Sequence, residues 1–261
     1  MGDDRRYVHR VTALAVSCAL AVSCVLVASC GGAAVEAGSG PQHGPVGGRS
    51  SAVEAFAGGS SSLPVELVLW PGPGQAALTF DDGPNPEATL EILALLAERG
   101  VPATFFVVGR SADAWPELVA AMHEGGHGVA NHTWAHPDLT TLSDWDIHLQ
   151  LTRTNDAIER AIGVEVRCLR APHGAVDRRV EAHATNLGLE HVLWNVNPDD
   201  YLDPPVGVLV ARTLEAVADL EGAGAVIGLH DGGGARRPTV EGLAAIIDGV
   251  ESLGYTWVRL C

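Results

Sequence analysis

From about residue 65 to its end the chain alternates short apolar runs with longer amphipathic stretches, and this constrains the fold more than any other feature. The apolar runs are Ala76–Phe80, Ala103–Val108, His127–Ala130, Val166–Leu169, Glu190–Asn195, Ala225–Leu229 and Thr256–Leu260, each the length of a buried strand. Helix-like stretches lie between them near 87–99, 115–124, 143–162, 177–187, 206–219 and 238–252. Two of these open on helix-start chemistry. Asn85-Pro86-Glu87 offers a capping side chain, a proline for the first turn and an early acid, and Ser143-Asp144-Trp145-Asp146 resembles a capping box. Strand–helix alternation predicts an α/β fold with a parallel sheet wrapped by helices. A small, incomplete α/β barrel suits seven such strands better than an open sheet, although periodicity leaves both open.

The polar residues fall at one end of these strands. Asp81 and Asp82 follow the first, His132 comes two residues after the third, and Arg170 and His173 follow the fourth. Asp199 and Asp200 come after the fifth, and His230 and Asp231 after the sixth. The C-terminal strand ends of an α/β barrel open on one face, so five segments would deliver acids, histidines and an arginine to one place. Taken singly, each segment has a bland reading. Asp82-Gly83-Pro84 is ordinary turn chemistry, and two of eleven histidines can be surface or capping residues. The i, i+4 spacing of His132 and His136 predicts that both imidazoles share one side of a helical turn, a common way to offer two ligands to one metal. Asp82 is the candidate third ligand. Two histidines and a carboxylate suit Zn²⁺, with Co²⁺ or another divalent metal as the alternative.

Five blocks carry a resemblance: TFDDGP at 79–84, NHTWAH at 131–136, RAPHG at 170–174, WNVNPDDY at 194–201 and LHDGG at 229–233. In this order they resemble the NodB-type polysaccharide deacetylases, carbohydrate esterase family 4, over about residues 76–261. The resemblance implies a distorted (β/α)7 barrel, the NodB homology domain, and a metal held by Asp82, His132 and His136. It makes Asp81 the general base, Arg170 the group that orients it, and His230 the general acid paired with Asp200. The backbone N–H of His173 would face the oxyanion. Trp134, Pro172, Gly174, Tyr201 and Leu229 would meet the sugar. The remaining tryptophans read as core or rim packing, and Gly232-Gly233-Gly234 lacks the lysine of a phosphate loop. The implied reaction removes N-acetyl groups from a polysaccharide containing N-acetylglucosamine, either peptidoglycan or chitin-like oligomers. An acetylxylan O-deacetylase of the same fold and a catalytically impaired glycan-binding module are the alternatives. Three departures bear on substrate preference or rate: His173 stands where the family has Tyr, Tyr201 where it has Trp, and Asn197 where Asp is frequent.

The first residues belong to no fold of this kind. Arg5, Arg6 and Arg10 precede an apolar run from Val11 to Ala28, as in an export signal over residues 1–30. Val27-Ala28-Ser29-Cys30 resembles a lipoprotein cleavage box, which would put a lipid anchor on Cys30 and hold the protein at a membrane. An ordinary signal peptide or an uncleaved anchor are the competing readings. Either route predicts an exported protein, extracellular or in the cell envelope. Residues 31–64 are rich in Gly, Ser, Ala and Pro and read as a flexible tether, leaving 65–261 as the catalytic domain. In an oxidising compartment Cys168 and Cys261 would form a disulfide, with two buried free thiols as the other reading. The formal charge is −16 and the chain contains no lysine, which argues against nucleic acid as a partner.

Overall fold

The computed structural model describes residues 70–261, so the expected export signal, the lipid-anchor site at Cys30 and the tether lie outside the described residues. Strands and helices follow one another as β1 (Gln75–Asp81), α1 (Ala88–Arg99), β2 (Ala103–Val107), α2 (Gly109–Ala114), α3 (Pro116–Glu124), β3 (Gly128–Asn131) and α4 (Asp144–Ile162). The second half continues with β4 (Cys168–Leu169), α5 (Arg178–Asn186), β5 (Glu190–His191), α6 (Val206–Ala218), β6 (Ala225–His230), α7 (Arg237–Ser252) and β7 (Thr256–Trp257). The strands pair in parallel in the order β5-β4-β3-β2-β1-β6, with β7 beside the start of β1. Beyond β5 the chain crosses to the opposite edge, where Val196 bridges Ile227 and the Gly228 N–H donates to the Val196 carbonyl. The sheet therefore curls until its two edges meet, a distorted (β/α)7 barrel.

Strand alternation sorts the side chains into two cores. Leu78 and Phe80 of β1 and Phe105 of β2 pack outward against Ile92 and Leu96 of α1, Ile147 of α4 and Ile246 of α7. Ala77, Phe106, Ala130, Cys168, Val192 and Val226 face the other way and fill the barrel with Leu260. Alanine at two of these positions fits a narrow interior. Phe80 and Phe105 stack with ring centroids 5.1 Å apart, and burying each ring contributes about 1.5–3 kcal/mol. The C-terminal tail plugs the barrel end opposite Asp81. There the Thr104 hydroxyl donates to the Leu260 carbonyl at 2.7 Å and accepts the Leu260 N–H at 3.1 Å. Cys261 forms a disulfide with Cys168, so the free-thiol reading fails.

Both expected caps form. Ser143 Oγ accepts the Asp146 N–H and donates to the Asp146 carboxylate, and Asn85 Oδ1 accepts the N–H groups of Glu87 and Ala88. Helix α2 was not expected, because six residues reading GRSADA carry no apolar period. The last of the seven strands ends three residues earlier than expected, since Leu260 bonds to the Thr104 side chain instead of continuing a ladder. No helix among the described residues is long and apolar enough to cross a membrane.

Candidate active site

Adjacent carboxylates at the end of β1 are sent to different neighbours. Asp81, the last residue of the strand, is almost fully buried and receives Arg170 Nη1 at 2.7 Å. Asp82 takes a left-handed backbone (φ 73°), which swings its carboxylate towards the histidines. Gly83 has to lack a side chain, since a Cβ there would lie 2.2 Å from the Asp231 carboxylate.

Arg170 is fully buried and fixed from several sides. It donates to the Thr79 hydroxyl and to the carbonyls of Val192 and Leu193, and its guanidinium lies 4.0 Å from the centre of the Phe106 ring. Burial alone pushes the Asp81 carboxyl up. The Arg170 guanidinium, helped by His132 and His230, more than reverses this and holds Asp81 below its ordinary value. Asp81 is thus a buried carboxylate that stays ionised.

His132 follows β3, whose last residue, Asn131, is anchored by its side-chain amide to the Leu151 carbonyl and Asn155. His132 Nδ1 lies 2.7 Å from the Arg170 carbonyl. A carbonyl can only accept, so Nδ1 carries the proton and Nε2 presents a bare lone pair. That Nε2 lies 3.5 Å from Asp82 Oδ1, and His136 Nε2 lies 3.2 Å from the same oxygen. Burial lowers both imidazole pKa values in spite of the nearby carboxylates, favouring the neutral form that binds metal. Asp82 Oδ1 is buried without a hydrogen-bond partner, and the three donor atoms lie within 4.8 Å of one another. An orphaned carboxylate oxygen facing two imidazole nitrogens fits a divalent cation. The expected helical turn between the two histidines does not form. Thr133 and His136 have positive φ, and the carbonyls of Thr133 and Trp134 accept the N–H groups of Gly109 and Arg110 in α2, so they are not free for helical bonds.

Across the cavity His230 ends β6. Its Nδ1 meets Asp200 Oδ1 at 2.6 Å, its N–H donates to Oδ2, and the Thr239 hydroxyl holds Oδ2 at 2.7 Å. Burial alone lowers the His230 pKa, but the bond and charge of Asp200, with Asp81 and Asp82, raise it above its ordinary value. Asp200 thus favours the protonated form of His230.

A cavity of about 480 Å³ brings Asp81, Asp82, His132, His136, His173, Tyr201 and His230 to one wall or another. His173 occupies a tight turn with φ 60°, its ring edge-on to His136 at 4.8 Å. Gly174 follows in the same turn. Arg170 and Asp200 stand behind the wall and act through Asp81 and His230. Pro172 and Leu229 are buried away from it, and Leu229 belongs to the outer core. Trp134, expected in the sugar groove, is also absent from the wall: its ring lies under the Arg153 guanidinium at 3.9 Å and against Gly109. Trp194 is there instead, packed on Gly228, where a Cβ would lie 3.3 Å from the indole. Sequence reasoning missed Arg236, which also lines the cavity and reads in sequence as half of an ordinary Arg-Arg pair. It also left Asp231 without a role. This side chain is fully buried, accepts the Thr89 hydroxyl at 2.6 Å, and is pushed up to about 7 by burial and by its proximity to Asp82 and Asp81.

Comparison with known proteins agrees with this geometry. Residues 71–192 match the family described as polysaccharide deacetylase. A chitooligosaccharide deacetylase of Sinorhizobium fredii is 40% identical over 189 residues, covering 68% of this chain and 86% of the relative. The solved structure of a peptidoglycan N-acetylglucosamine deacetylase, Bc1960, superposes with a TM-score of 0.69 at 30% identity, covering 73% of this chain and 88% of that one. The pseudoenzyme BA3943 of Bacillus anthracis, from carbohydrate esterase family 4, is 27% identical with a TM-score of 0.67, covering 73% of this chain and 65% of that one. With the barrel, the two divided carboxylates and the histidine pair in place, the chain belongs to the polysaccharide deacetylase family.

Proposed function

We propose that this protein is a metal-dependent hydrolase that removes N-acetyl groups from a polysaccharide containing N-acetylglucosamine, either peptidoglycan or chitin-like oligomers. The observation that carries the reading is the division of labour between Asp81 and Asp82. One is kept ionised by Arg170, while the other faces two neutral histidines, across a single cavity from the His230–Asp200 pair. Asp82, His132 and His136 would hold the cation, for which two imidazoles and a carboxylate favour Zn²⁺. Such an ion supplies Lewis acidity towards the acetyl carbonyl and towards water.

The remaining chemistry belongs to the side chains. Asp81 accepts the proton of the attacking water, and its fixed bond to Arg170 keeps it charged and aimed. The carbonyl oxygen gains negative charge as the tetrahedral species forms, and the backbone N–H of His173 is the donor assigned to it. His230, held by Asp200 and charged, then gives its proton to the amide nitrogen as the C–N bond breaks. Acetate and a free amine leave. Arg170 and Asp200 are positioning residues for these two groups. Tyr201, about half exposed beside His230 at a centroid distance of 5.7 Å, offers a face for the sugar ring.

We place the protein outside the cytoplasm, anchored through Cys30, on the strength of the arginine-led apolar run and the cleavage-box residues at 27–30. An acetylxylan O-deacetylase would use the same groups with less need for His230, since an alkoxide leaves more readily than an amide anion. A catalytically impaired binding module would sacrifice one of these groups, and all of them are present. The test is acetate release from chitooligosaccharides, peptidoglycan and acetylxylan by the purified, zinc-loaded protein, with and without chelator. Chelator-sensitive release, fastest on an N-acetylated glycan, is the expected result. Release from acetylxylan alone would overturn the N-deacetylase reading, and no release at one equivalent of bound zinc would overturn the hydrolase reading for these glycans.

A further inference from the structure

Two arginines are buried at this site, and only one has a carboxylate. Arg170 is paired with Asp81 at 2.7 Å. Arg236 is just 5% exposed, yet among the described residues no carboxylate comes within 4.0 Å of its guanidinium. Its Nε donates to the Gly232 carbonyl and Nη1 to the Tyr201 carbonyl, so the plane of the fork is set by two backbone acceptors. These use two of the five N–H donors of a guanidinium, and Nη2 donates to none of the described residues. The side chain lines the cavity, and Nη2 lies 2.9 Å from the point where a Cβ on Gly233 would sit, with Asp82 Oδ2 2.8 Å from that same point. The free donors therefore open beside the proposed metal corner. Arg236 also adopts a left-handed backbone (φ 52°) at the start of α7, a conformation that disfavours side-chain-bearing residues. The chain thus keeps a left-handed residue here whose side chain is almost wholly enclosed, held at Nε and Nη1, and left open to the cavity at Nη2, where an anion can meet it.

We infer that Arg236 is a substrate-recognition residue whose free guanidinium edge receives a carboxylate carried by the glycan next to the scissile acetamide. The ligand class is an acidic N-acetyl amino sugar, such as one bearing a lactyl ether on the neighbouring ring carbon. A planar fork matches a carboxylate with paired charge-assisted hydrogen bonds, which a neutral hydroxyl cannot equal. A latch joining the Gly232 and Tyr201 loops would need the two carbonyl contacts but not a buried cation with spare donors on the cavity wall.

The inference rests on the deacetylase reading and is tested by a ratio. Acetate release is measured from an N-acetylglucosamine tetramer and from a tetramer in which N-acetylmuramic acid alternates with N-acetylglucosamine, using the zinc-loaded protein and its Arg236→Gln and Arg236→Lys variants. The wild type is expected to favour the carboxylated tetramer by about tenfold or more in kcat/KM, the scale of one charge-assisted pair. Arg236→Gln should lower that ratio about tenfold, and Arg236→Lys should retain part of it. An equal ratio in wild type and Arg236→Gln overturns the inference, as does a loss of bound zinc in the variant with the ratio unchanged, which would make Arg236 a brace for Asp82. If Arg236→Gln does not fold, the ratio in Arg236→Lys decides, and a value equal to wild type overturns the idea. If the wild type turns over neither tetramer, the deacetylase reading fails by itself. Calorimetric binding of the two tetramers to wild type and variant then reads the inference directly: selective weakening of the carboxylated one supports it, and equal binding overturns it.

Discussion

His191 lies in β5 with 3% of its surface exposed, and neither ring nitrogen has a hydrogen-bond partner. Burial pushes its pKa down from 6.5 to about 4. The folded protein thus refuses a proton that the unfolded chain accepts below 6.5, so the titration of this residue costs nothing at pH 8 and progressively destabilises the fold as pH falls towards 4. Two and a half pK intervals correspond to about 3 kcal/mol once the penalty is complete, and to about 2 kcal/mol between pH 7 and pH 5. His191→Leu removes both the titration and two buried polar atoms. Urea unfolding followed by tryptophan fluorescence, with chelator present throughout, should show the wild type losing about 2 kcal/mol more than the variant between those two pH values. At pH 7 the variant should be more stable by about 1–2 kcal/mol, the usual relief from an unsatisfied buried group. Parallel pH curves for the two proteins would refute the reasoning.

The disulfide between Cys168 and Cys261 spans 93 residues, and loop-closure entropy gives it an upper value of about 4–5 kcal/mol. Cys261→Ser should lower the urea midpoint accordingly, and reductant should have no further effect on the variant. Gly83→Ala drives a Cβ to 2.2 Å from the Asp231 carboxylate and should cost about 1–3 kcal/mol, together with most of the zinc affinity measured by chelator competition. His230→Gln should reduce amide turnover by about 10²–10⁴ while sparing release of acetate from an aryl ester, whose leaving group needs no proton. Equal losses on both substrates would remove His230 from the acid role.

The barrel and most of the site were legible because both follow from local pattern. Apolar runs of strand length mark the sheet, and acids and histidines placed just beyond them land on one rim. The readings that failed depend on which groups occupy backbone acceptors or space. His132 and His136 do not share a helical turn, because α2 uses the carbonyls between them. Trp134 is turned aside by the gap over Gly109 and by Arg153, and the absence of a Cβ at Gly228 lets Trp194 reach the cavity instead. Arg236 carries no motif at all: its inward position comes from its own left-handed backbone at the start of α7, the carbonyl of Gly232 four residues before it and the distant carbonyl of Tyr201. Asp231 is likewise a product of tertiary contact, through Thr89 and Gly83.

The central claim is that Asp81 does chemistry while Asp82 holds metal, although the two are adjacent. Asp81→Asn separates these roles, since Asn keeps the shape beside Arg170 but accepts no proton. Bound zinc and acetate release from an N-acetylglucosamine tetramer are measured on the same preparation of wild type and variant. One equivalent of zinc in both, with release in the variant reduced by a factor on the order of 10³, is the predicted result. Full zinc with undiminished release in Asp81→Asn would contradict it.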